Sequence, residues 1–317
     1  MDYYKKKTTD LLYNVAIPYT SGYDTMLKNI GSLENHGYEL SIESDNLTGP
    51  FSWTTAFNIS FNRNKVLELG GEEYKEMAEG DGHLKTGSVR RLIVGEPVGV
   101  FYGYRFDGIF QNEEECKQQT SSAAPIGVGL RRYKDLNGDG KVDAVNDREI
   151  LGNANPKFFG GLTNTFAYKG FELNVFLQYS VGNKILNYNA MELETPTGGQ
   201  NAYADMVNRW TPENPSNIYP KATTNRNVLV SDRFIEDGSY LKLKTLSLSY
   251  SFPKVNIKHI QGLRIYVTGQ NLLTWTKYRG YDPEVSYRGA STLESGEDFG
   301  GYPQSRTFML GVKLDIK

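Results

Sequence analysis

The sequence predicts an all-β fold, namely an antiparallel transmembrane β-barrel segment that contributes about eight strands to a larger barrel and carries long extracellular loops. Three observations predict it. Apolar and polar residues alternate over several stretches, long and short connections follow one another strictly, and aromatic residues collect near the predicted strand ends. The sequence has no run of about 20 apolar residues, which is the length that a membrane helix requires.

The alternation is clearest in the stretches Phe51–Phe61, Phe171–Tyr179 and Phe308–Ile316. Because successive side chains of a strand point to opposite faces, each stretch is predicted to have one mainly apolar face and one mainly polar face. Weaker alternation predicts further strands at Tyr3–Tyr13, Leu33–Ser44, Phe158–Tyr168 and Leu263–Trp275.

Another strand is predicted in "YLKLKTLSLSYSF", where the apolar residues change parity between Leu243 and Leu246. A β-bulge adds a residue to one strand and so changes which side chains share a face. We therefore expect a β-bulge between these two leucines.

The connections between the predicted strands alternate in length. Short ones follow Ser44 and Tyr168, whereas the longest occupies residues of about 63–157. A soluble sandwich usually has short loops at both ends, but a transmembrane barrel has short periplasmic turns and long extracellular loops. The alternation therefore favours the barrel and predicts that 63–157 is a large extracellular loop insertion.

Aromatic residues near the predicted strand ends are the third observation. In a barrel they form girdles at the two membrane surfaces, although aromatic residues also favour strands in general. They therefore support the barrel without deciding for it. The residues are Trp53, Tyr168, Phe171, Tyr250, Phe252 and Trp275.

Composition argues against several classes of function. The 317 residues carry a formal net charge of −2 and no block of Lys or Arg, so no nucleic-acid partner is expected. The single cysteine, Cys116, permits no internal disulfide. A serine hydrolase elbow, a Walker A loop, a zinc-spaced His/Cys cluster and a dinucleotide fingerprint are all absent. We therefore predict that the chain is not an enzyme, and we name no catalytic residue.

The stretch "KDLNGDGKVDAVNDREI", Lys134–Ile150, resembles a calcium-binding loop of the EF-hand type. Such a loop takes oxygen ligands at positions 1, 3, 5, 7, 9 and 12, and it has glycine at position 6. Gly140 stands at position 6, but Asn146 stands at position 12, so Asp147 can serve only if the loop holds one extra residue. The predicted ligands of a structural Ca²⁺ are Asp135, Asn137, Asp139, the Lys141 carbonyl, Asp143 and Asp147.

The alternative for this stretch is a solvated turn that binds no metal. Asn-Gly and Asp-Gly pairs form such turns because they tolerate a left-handed backbone. Glycine and proline in the flanks, where the EF-hand helices would run, also argue against a complete EF-hand.

Several stretches of the sequence, taken in order, resemble one family. Each motif is weak alone, but their order and spacing together are specific. The stretches include "NHGYELSIES", "VGEPVGVFYGYRFDGIFQNEEE", "ILGNANPKFFGGLTN", "NRWTPENP", "RFIEDGSYLKLKTLSLSYSFP", "GQNLLTWTKYRGYDPEVS" and "YPQSRTFMLGV". On these motifs the chain is similar to the C-terminal part of SusC/RagA-type TonB-dependent outer-membrane transporters.

The resemblance implies a fragment of a nutrient importer in the outer membrane of a Gram-negative cell. In this family an N-terminal plug fills the barrel and engages TonB, and a SusD-like lipoprotein caps the extracellular loops. We expect neither plug nor signal peptide within 1–317, so TonB would act only through the absent N-terminal part. The implied cargo is a glycan or a peptide, the implied surroundings are outer-membrane lipid, and the residues that contact cargo stay unknown.

A different class of function stays open at this point, namely a soluble, calcium-stabilised, β-rich carbohydrate-binding module. Trp210, Tyr278 and Tyr281 lie in predicted loops, where exposed aromatic rings can stack on sugars. The simpler interpretation is that these three rings pack within their loops, and we favour it. An uncovered apolar sheet face would argue against the soluble module.

Overall fold

The computed structural model describes residues 1–16, 25–77, 84, 87–195, 201–224, 228–253, 255, 257, 259–287, 289 and 293–316. No helix within these ranges is long and apolar enough to cross a membrane.

The elements follow in chain order, with the longest strands at the two ends and in the middle of the sequence. They are β1 (Asp2–Ala16), β2 (Thr25–Leu47), β3 (Phe51–Leu69), β4 (Tyr74–Glu76), β5 (Arg91–Ile93), β6 (Val100–Gly103), β7 (Phe106–Ile109), α1 (Glu113–Lys117), β8 (Thr120–Ser121), β9 (Arg131–Tyr133), β10 (Lys141–Val142) and β11 (Glu149–Asn153). They continue with β12 (Phe158–Tyr168), β13 (Phe171–Val181), β14 (Lys184–Asn187), α2 (Tyr188–Leu193), β15 (Ile235–Asp237), β16 (Tyr240–Ser251), β17 (Ile260–Thr276), β18 (Glu297–Asp298) and β19 (Thr307–Ile316). Short 3₁₀ helices lie at Ala204–Asn208 and Asp232–Phe234.

One large sheet organises the fold. In the described part of the chain it has eight strands in the order β1, β2, β3, β12, β13, β16, β17 and β19. Every neighbouring pair in it is antiparallel. The predicted all-β fold and the predicted strands are thus confirmed, and the order in the sheet is the order along the chain.

The apolar residues of neighbouring strands line up on one face of this sheet, which we call the outer face. Their cross-strand contacts stabilise the register, because a slip of one residue would move every apolar side chain to the other face. Leu310 and Phe308 on this face are 76% and 73% exposed, so no other part of the described chain covers them. One row runs through Leu47, Trp53, Phe166, Leu173, Leu248, Val267 and Leu310.

The opposite face, which we call the inner face, is polar. Side chains on it bond across the strands: the Asn174 amide donates to Thr165 at 2.9 Å, and the hydroxyls of Ser247 and Thr268 are 2.8 Å apart. One row of this face runs through Thr54, Thr165, Asn174, Ser247, Thr268 and Met309.

The expected β-bulge lies in β16. The register with β13 passes from Leu243 to Thr245, which leaves Lys244 as the extra residue. Without it, Leu246 and Leu248 would share the inner face with Lys242. The bulge therefore turns these two leucines outward, and the prediction from parity is confirmed.

Two strands are longer than their alternation predicts. β2 has 23 residues, and β3 continues beyond Phe61 to Leu69, so the long connection leaves the sheet later than the expected position of about 63. The continuation was hidden because Asn62, Arg63, Asn64 and Lys65 offer no apolar alternation. Their strand conformation depends on the ladder with β2 and on burial of the end of β3.

The connections fall on two sides of the sheet according to length. Short turns join β2 to β3, β12 to β13 and β16 to β17 at one end. The long connections 70–157, 182–239 and 277–306 all leave from the opposite end. They contain the short helices and the short strands. In the described part of these connections, the short strands form small two- and three-stranded sheets.

The turn between β12 and β13 gives a test of the hairpin geometry. Lys169 and Gly170 have φ values of 47° and 87°, as in the type I′ turns that match strand twist. A Cβ on Gly170 would lie 2.7 Å from the Ser251 carbonyl oxygen. We expect Gly170→Val to destabilise the hairpin by about 1–3 kcal/mol. The substitution should lower the fraction of complete barrel that stays folded in SDS without heating, measured by gel mobility.

Lys169→Asn is the control for this substitution, since asparagine tolerates a left-handed backbone. The folded fraction should then equal or exceed that of the parent. An equal loss in both variants would contradict the assigned turn.

Candidate functional site

The long connections fold together into one unit, which we call the loop layer: the described parts of 70–157, 182–239 and 277–306. Its apolar core draws on all of them. The ring of Tyr188 meets Phe299 edge-on at 5.9 Å between centroids. The connections are therefore packed against one another, and they are not separate loops. The buried core residues are Leu84, Val89, Phe101, Ala154, Leu186, Tyr188, Ala190, Met191, Val228, Val230 and Phe234.

A buried ion pair ties the first connection to the third. Arg90 Nε donates to Glu297 Oε1 at 2.8 Å, and both side chains are 2% exposed. The guanidinium also donates to the Gly99 carbonyl at 3.1 Å and lies 4.2 Å above the Phe101 ring. Burial lowers the pKa of Arg90, and Glu297 opposes that shift. Such a pair is stable only when its remaining donors are also satisfied, as they are here.

Two carboxylates join the second connection to the third. Arg279 donates to Glu194 Oε1 at 2.9 Å and to Glu236 Oε1 at 2.9 Å, and Arg233 donates to the other oxygen of Glu194 at 2.9 Å. Burial acts to lower the pKa of Arg279, but hydrogen bonds to the two carboxylates raise it by more. The arginine stays charged and holds the connections together.

A further charged cluster, the rim cluster, fixes the third connection to the inner face of the sheet. Lys242 is 1% exposed, and its Nζ donates to Asp282 at 2.6 Å and to Glu284. Lys244 Nζ donates to Glu284 at 2.9 Å. Tyr240 donates to the other oxygen of Glu284 at 3.1 Å. The "YDPEVS" stretch is thus tied to the end of β16.

Glu284 is the centre of the rim cluster. Burial acts to raise its pKa, but the hydrogen bonds and charges of Lys242 and Lys244 lower it by more, so the net shift is downward. Glu284 is therefore a carboxylate at neutral pH, and it is stabilised by both lysines.

A cavity of about 270 Å³ lies beside the rim cluster, where the inner face meets the loop layer. Most of its walls are polar. Arg306 is exposed there and makes no ion pair in the described part of the chain. The lining residues are Lys242, Asn271, Leu272, Thr274, Tyr281, Asp282, Pro303, Gln304 and Arg306.

The three loop aromatics singled out in the sequence have different environments. Trp210 is half-buried and donates to Gln111 at 3.1 Å, and Tyr278 is 5% exposed and bonds Asp298. These two rings pack within the loop layer, as the simpler interpretation predicts. Tyr281 differs, since it is 80% exposed at the edge of the cavity. Sequence could not separate Tyr278 from Tyr281, because three-dimensional packing alone decides which ring is covered.

The predicted calcium-loop residues form a tight turn whose carboxylates accept backbone N–H groups. Asp135 accepts from Gly138 and Gly140, each at 2.7 Å. The N–H groups of Asn146 and Val145 lower the pKa of Asp143. The side chains of Asn137 and Asp139 are joined at 2.9 Å.

Asp147 lies at the centre of this turn. It is 0% exposed and accepts from the N–H groups of Leu136 and Asp143, each at 2.7 Å. Both of its oxygens are therefore used in closing the loop. The sequence pattern did not reveal this role, because the pattern treats Asp147 only as a late ligand.

No group of three or more His, Cys, Asp or Glu side chains that could hold a metal is present among the described residues. A calcium loop of this type would also draw on the Asn137 side-chain oxygen and the Lys141 carbonyl. The ligand set Asp135, Asn137, Asp139, Lys141, Asp143 and Asp147 stays a prediction.

The eight-stranded sheet and the loop layer together define a class of protein. An antiparallel sheet with an uncovered apolar outer face, a polar inner face, short turns at one end and folded connections at the other is a segment of a transmembrane β-barrel. The comparisons with known proteins agree with this class.

No protein-family model matches the chain. It is 40% identical to the TonB-dependent receptor P3 of Formosa agariphila, over 99% of this chain and 32% of that protein. It is 30% identical to the TonB-dependent receptor SusC of Bacteroides thetaiotaomicron, over 100% of this chain and 30% of that receptor. The structure superposes on the RagAB peptide transporter with a TM-score of 0.76 at 25% identity, covering 98% of this chain and 32% of that one.

The chain belongs with the SusC/RagA-type TonB-dependent receptors, of which it corresponds to a barrel portion. It spans about a third of the length of the curated relatives it matches. Receptors of this type are outer-membrane β-barrels, and the relatives are receptors and transporters, not enzymes.

The rim cluster gives a test of the loop attachment. Lys242→Met leaves the buried Asp282 without its cation, so the third connection should lose about 3–5 kcal/mol of local stability. In the complete receptor, cleavage of 277–306 by a protease should become much faster. Lys244→Met is the matched control, since Lys244 is 28% exposed and should cost about 1 kcal/mol or less.

The pH dependence of the loop attachment follows from the lowered pKa of Glu284. Its pKa in the folded protein is below the ordinary 4.5, so the stabilisation is complete above that value. It is lost as the pH falls through the lowered pKa. Protection of 277–306 should therefore be constant from about pH 8 to about pH 5 and should fall at more acidic pH. Loss of protection near neutral pH would contradict this assignment.

Proposed function

We propose that this chain forms barrel wall and extracellular loops of a TonB-dependent nutrient importer in the outer membrane of a Gram-negative cell. The observation that supports it best is the one-sided arrangement: a wall that is apolar outside and polar inside, with the long connections folded over one end. In this proposal the loop layer is extracellular and the connection 70–157 is its largest part.

The physical roles of the two faces follow from their chemistry. The outer face contacts lipid, where each apolar side chain is favoured. The inner face lines the pore with hydroxyl and amide groups that stay hydrated. Coupling to TonB would run through the part of the receptors that this chain does not span, so these residues guide cargo and do not transmit energy.

The proposed cargo is a glycan or a peptide. The RagAB match is named a peptide transporter, which supports a peptide, and the glycan is the alternative that the family resemblance implies. Cargo would pass the rim cavity, where Tyr281, Gln304 and Arg306 offer an exposed ring and polar groups. A SusD-like lipoprotein is the proposed partner on the outer surface of the loop layer.

Uptake by the complete importer tests this function. Cells that carry it should accumulate members of either a panel of defined oligosaccharides or a panel of defined short peptides, and accumulation should require TonB. Tyr281→Ala combined with Arg306→Gln should weaken cargo affinity about tenfold, because exposed aromatic and arginine groups dominate binding energies.

Val207→Ala is the control, since Val207 is 76% exposed in the same layer but does not line the cavity. Its uptake should match that of the parent. If neither panel is taken up, or if uptake proceeds without TonB, the proposed function is wrong.

The soluble carbohydrate-binding module is disfavoured by the outer face. A soluble domain of this size does not leave a continuous apolar surface uncovered across a whole sheet. The row from Leu47 to Leu310 is such a surface.

A structural calcium ion in the Asp135–Asp147 turn remains part of the proposal. The carboxylates already close the turn through N–H groups, so a bound ion would add order without rebuilding the loop. Calorimetry of the complete receptor should show calcium-dependent heat that is lost in Asp135→Ala/Asp139→Ala. Absence of heat in the parent would contradict calcium binding.

A further inference from the structure

A patch of basic side chains lies on the outer face of β1, β2 and β3, directly beyond the aromatic end of the apolar surface. We call it the basic rim: Lys5, Lys7, His36, Arg63 and Lys65. Lys5 pairs in register with His36, and His36 pairs with Arg63. In the next row of the same face, Lys7 lies opposite Glu34 in the register, and Glu34 lies opposite Lys65.

The register shows that the basic rim shares its face with the apolar surface. The row before it consists of Tyr3, Tyr38 and Phe61. The rings of Tyr3 and Tyr38 are 4.9 Å apart, and Phe61 lies 5.7 Å from Phe158. Since alternate residues of a strand share a face, the residues two positions beyond these aromatics also point outward.

The height of the apolar surface matches a membrane. On β3 it runs from Phe51 to Phe61, which at about 3.3 Å per residue is about 33 Å along the strand. A tilt of about 40° reduces this to about 25 Å, the height of the apolar band of outer-membrane barrels. Phe61 then lies at the membrane surface, and Arg63 lies at the level of the lipid headgroups.

The charge of this part of the ladder is one-sided. The outer face has four cations against the single carboxylate of Glu34, which pairs with Lys5 at 3.0 Å. Between these two rows, the register places Lys6 on the inner face. The tripeptide "KKK" therefore puts two lysines outside and one inside.

The Arg63 guanidinium is held in place by hydrogen bonds from a single nitrogen. Its Nη1 donates to the carbonyls of Asn62 and Lys157, both at 2.9 Å. Within the described residues Nε and Nη2 have no partner, and Lys7 and Lys65 make no ion pair. The patch thus offers oriented, unpaired positive charge at the membrane surface.

We propose that the basic rim binds the phosphate of a phosphorylated glycolipid in the outer leaflet. The inference rests on the proposed outer-membrane placement. A phosphate can accept paired N–H groups from the Arg63 guanidinium and charge-assisted bonds from Lys65. The aromatic row below contacts the apolar part of the same lipid. Basic clusters at this depth recognise anionic headgroups in other membranes.

Native mass spectrometry of the complete receptor tests the inference, with monophosphoryl lipid A and the same lipid without phosphate as the two probes. The parent should bind the phosphorylated probe more tightly. Each removed charge should weaken that binding about fivefold, so Arg63→Gln/Lys65→Gln should weaken it about 25-fold. Binding of the phosphate-free probe should not change.

Lys6→Gln is the matched control, because it removes a charge of the same strand from the inner face. It should bind the phosphorylated probe like the parent. Equal binding of both probes by the parent, an effect of Lys6→Gln equal to that of the double variant, or displacement by millimolar inorganic phosphate would each overturn the proposal. The comparison of probes on the parent needs no variant to fold.

The two proposals fail in different ways. A receptor that imports cargo but does not distinguish the two lipids contradicts the lipid site alone. A chain whose complete receptor does not insert into membranes contradicts the proposed function as well.

Discussion

The requirement that every backbone N–H and C=O be paired away from water governs this structure. A strand in lipid has no solvent partner, so its backbone groups must bond to neighbouring strands, and six of the eight long strands described here lie between two others. In the sheet, each long strand pairs with the next long strand along the chain, so the order in the sheet is the order in the sequence. The apolar outer face and the polar inner face then follow from the two-residue period of a strand. The bulge at Lys244 shows how one extra residue preserves this arrangement where the sequence changes parity.

Burial of charge imposes a second constraint on the loop layer. An uncompensated buried charge costs several kcal/mol, and three ion pairs here give a buried charge a partner of opposite charge from a different segment of the chain. Arg90 meets Glu297, Arg279 meets Glu194, and Lys242 meets Asp282. These pairs specify how the connections dock on one another and on the wall. The result is a packed layer beside a polar rim cavity.

Sequence predicted the long strands well because their information is local. Alternation in Phe171–Tyr179 needs no distant contact, and the parity change in β16 located the bulge. The far end of β3 was missed because residues 62–65 are polar on both faces, and pairing with β2 together with burial of the strand's end keeps them extended. The short strands of the loop layer were missed for the same reason: two to five residues carry no period.

The sites were less accessible to sequence than the strands were. The contact of Lys242 with Asp282 joins residues 40 positions apart, and no spacing rule links them. The calcium pattern predicted ligands in this turn, whereas the structure shows Asp147 as a hydrogen-bond acceptor for two backbone groups, a role that the pattern did not indicate. The exposure of Tyr281 depends on packing of the whole third connection.

The alternation of lipid-facing and pore-facing residues along one strand is the main requirement of this barrel wall. It is tested most directly by fluorophores attached to Leu310→Cys and Met309→Cys of the complete receptor in bilayers, each with Cys116→Ser to remove the native thiol. Quenchers on lipid acyl chains should quench the label at 310 strongly and the label at 309 weakly, and a water-soluble quencher should show the reverse. Equal quenching at both positions, or the opposite order, would contradict the assignment of the two faces.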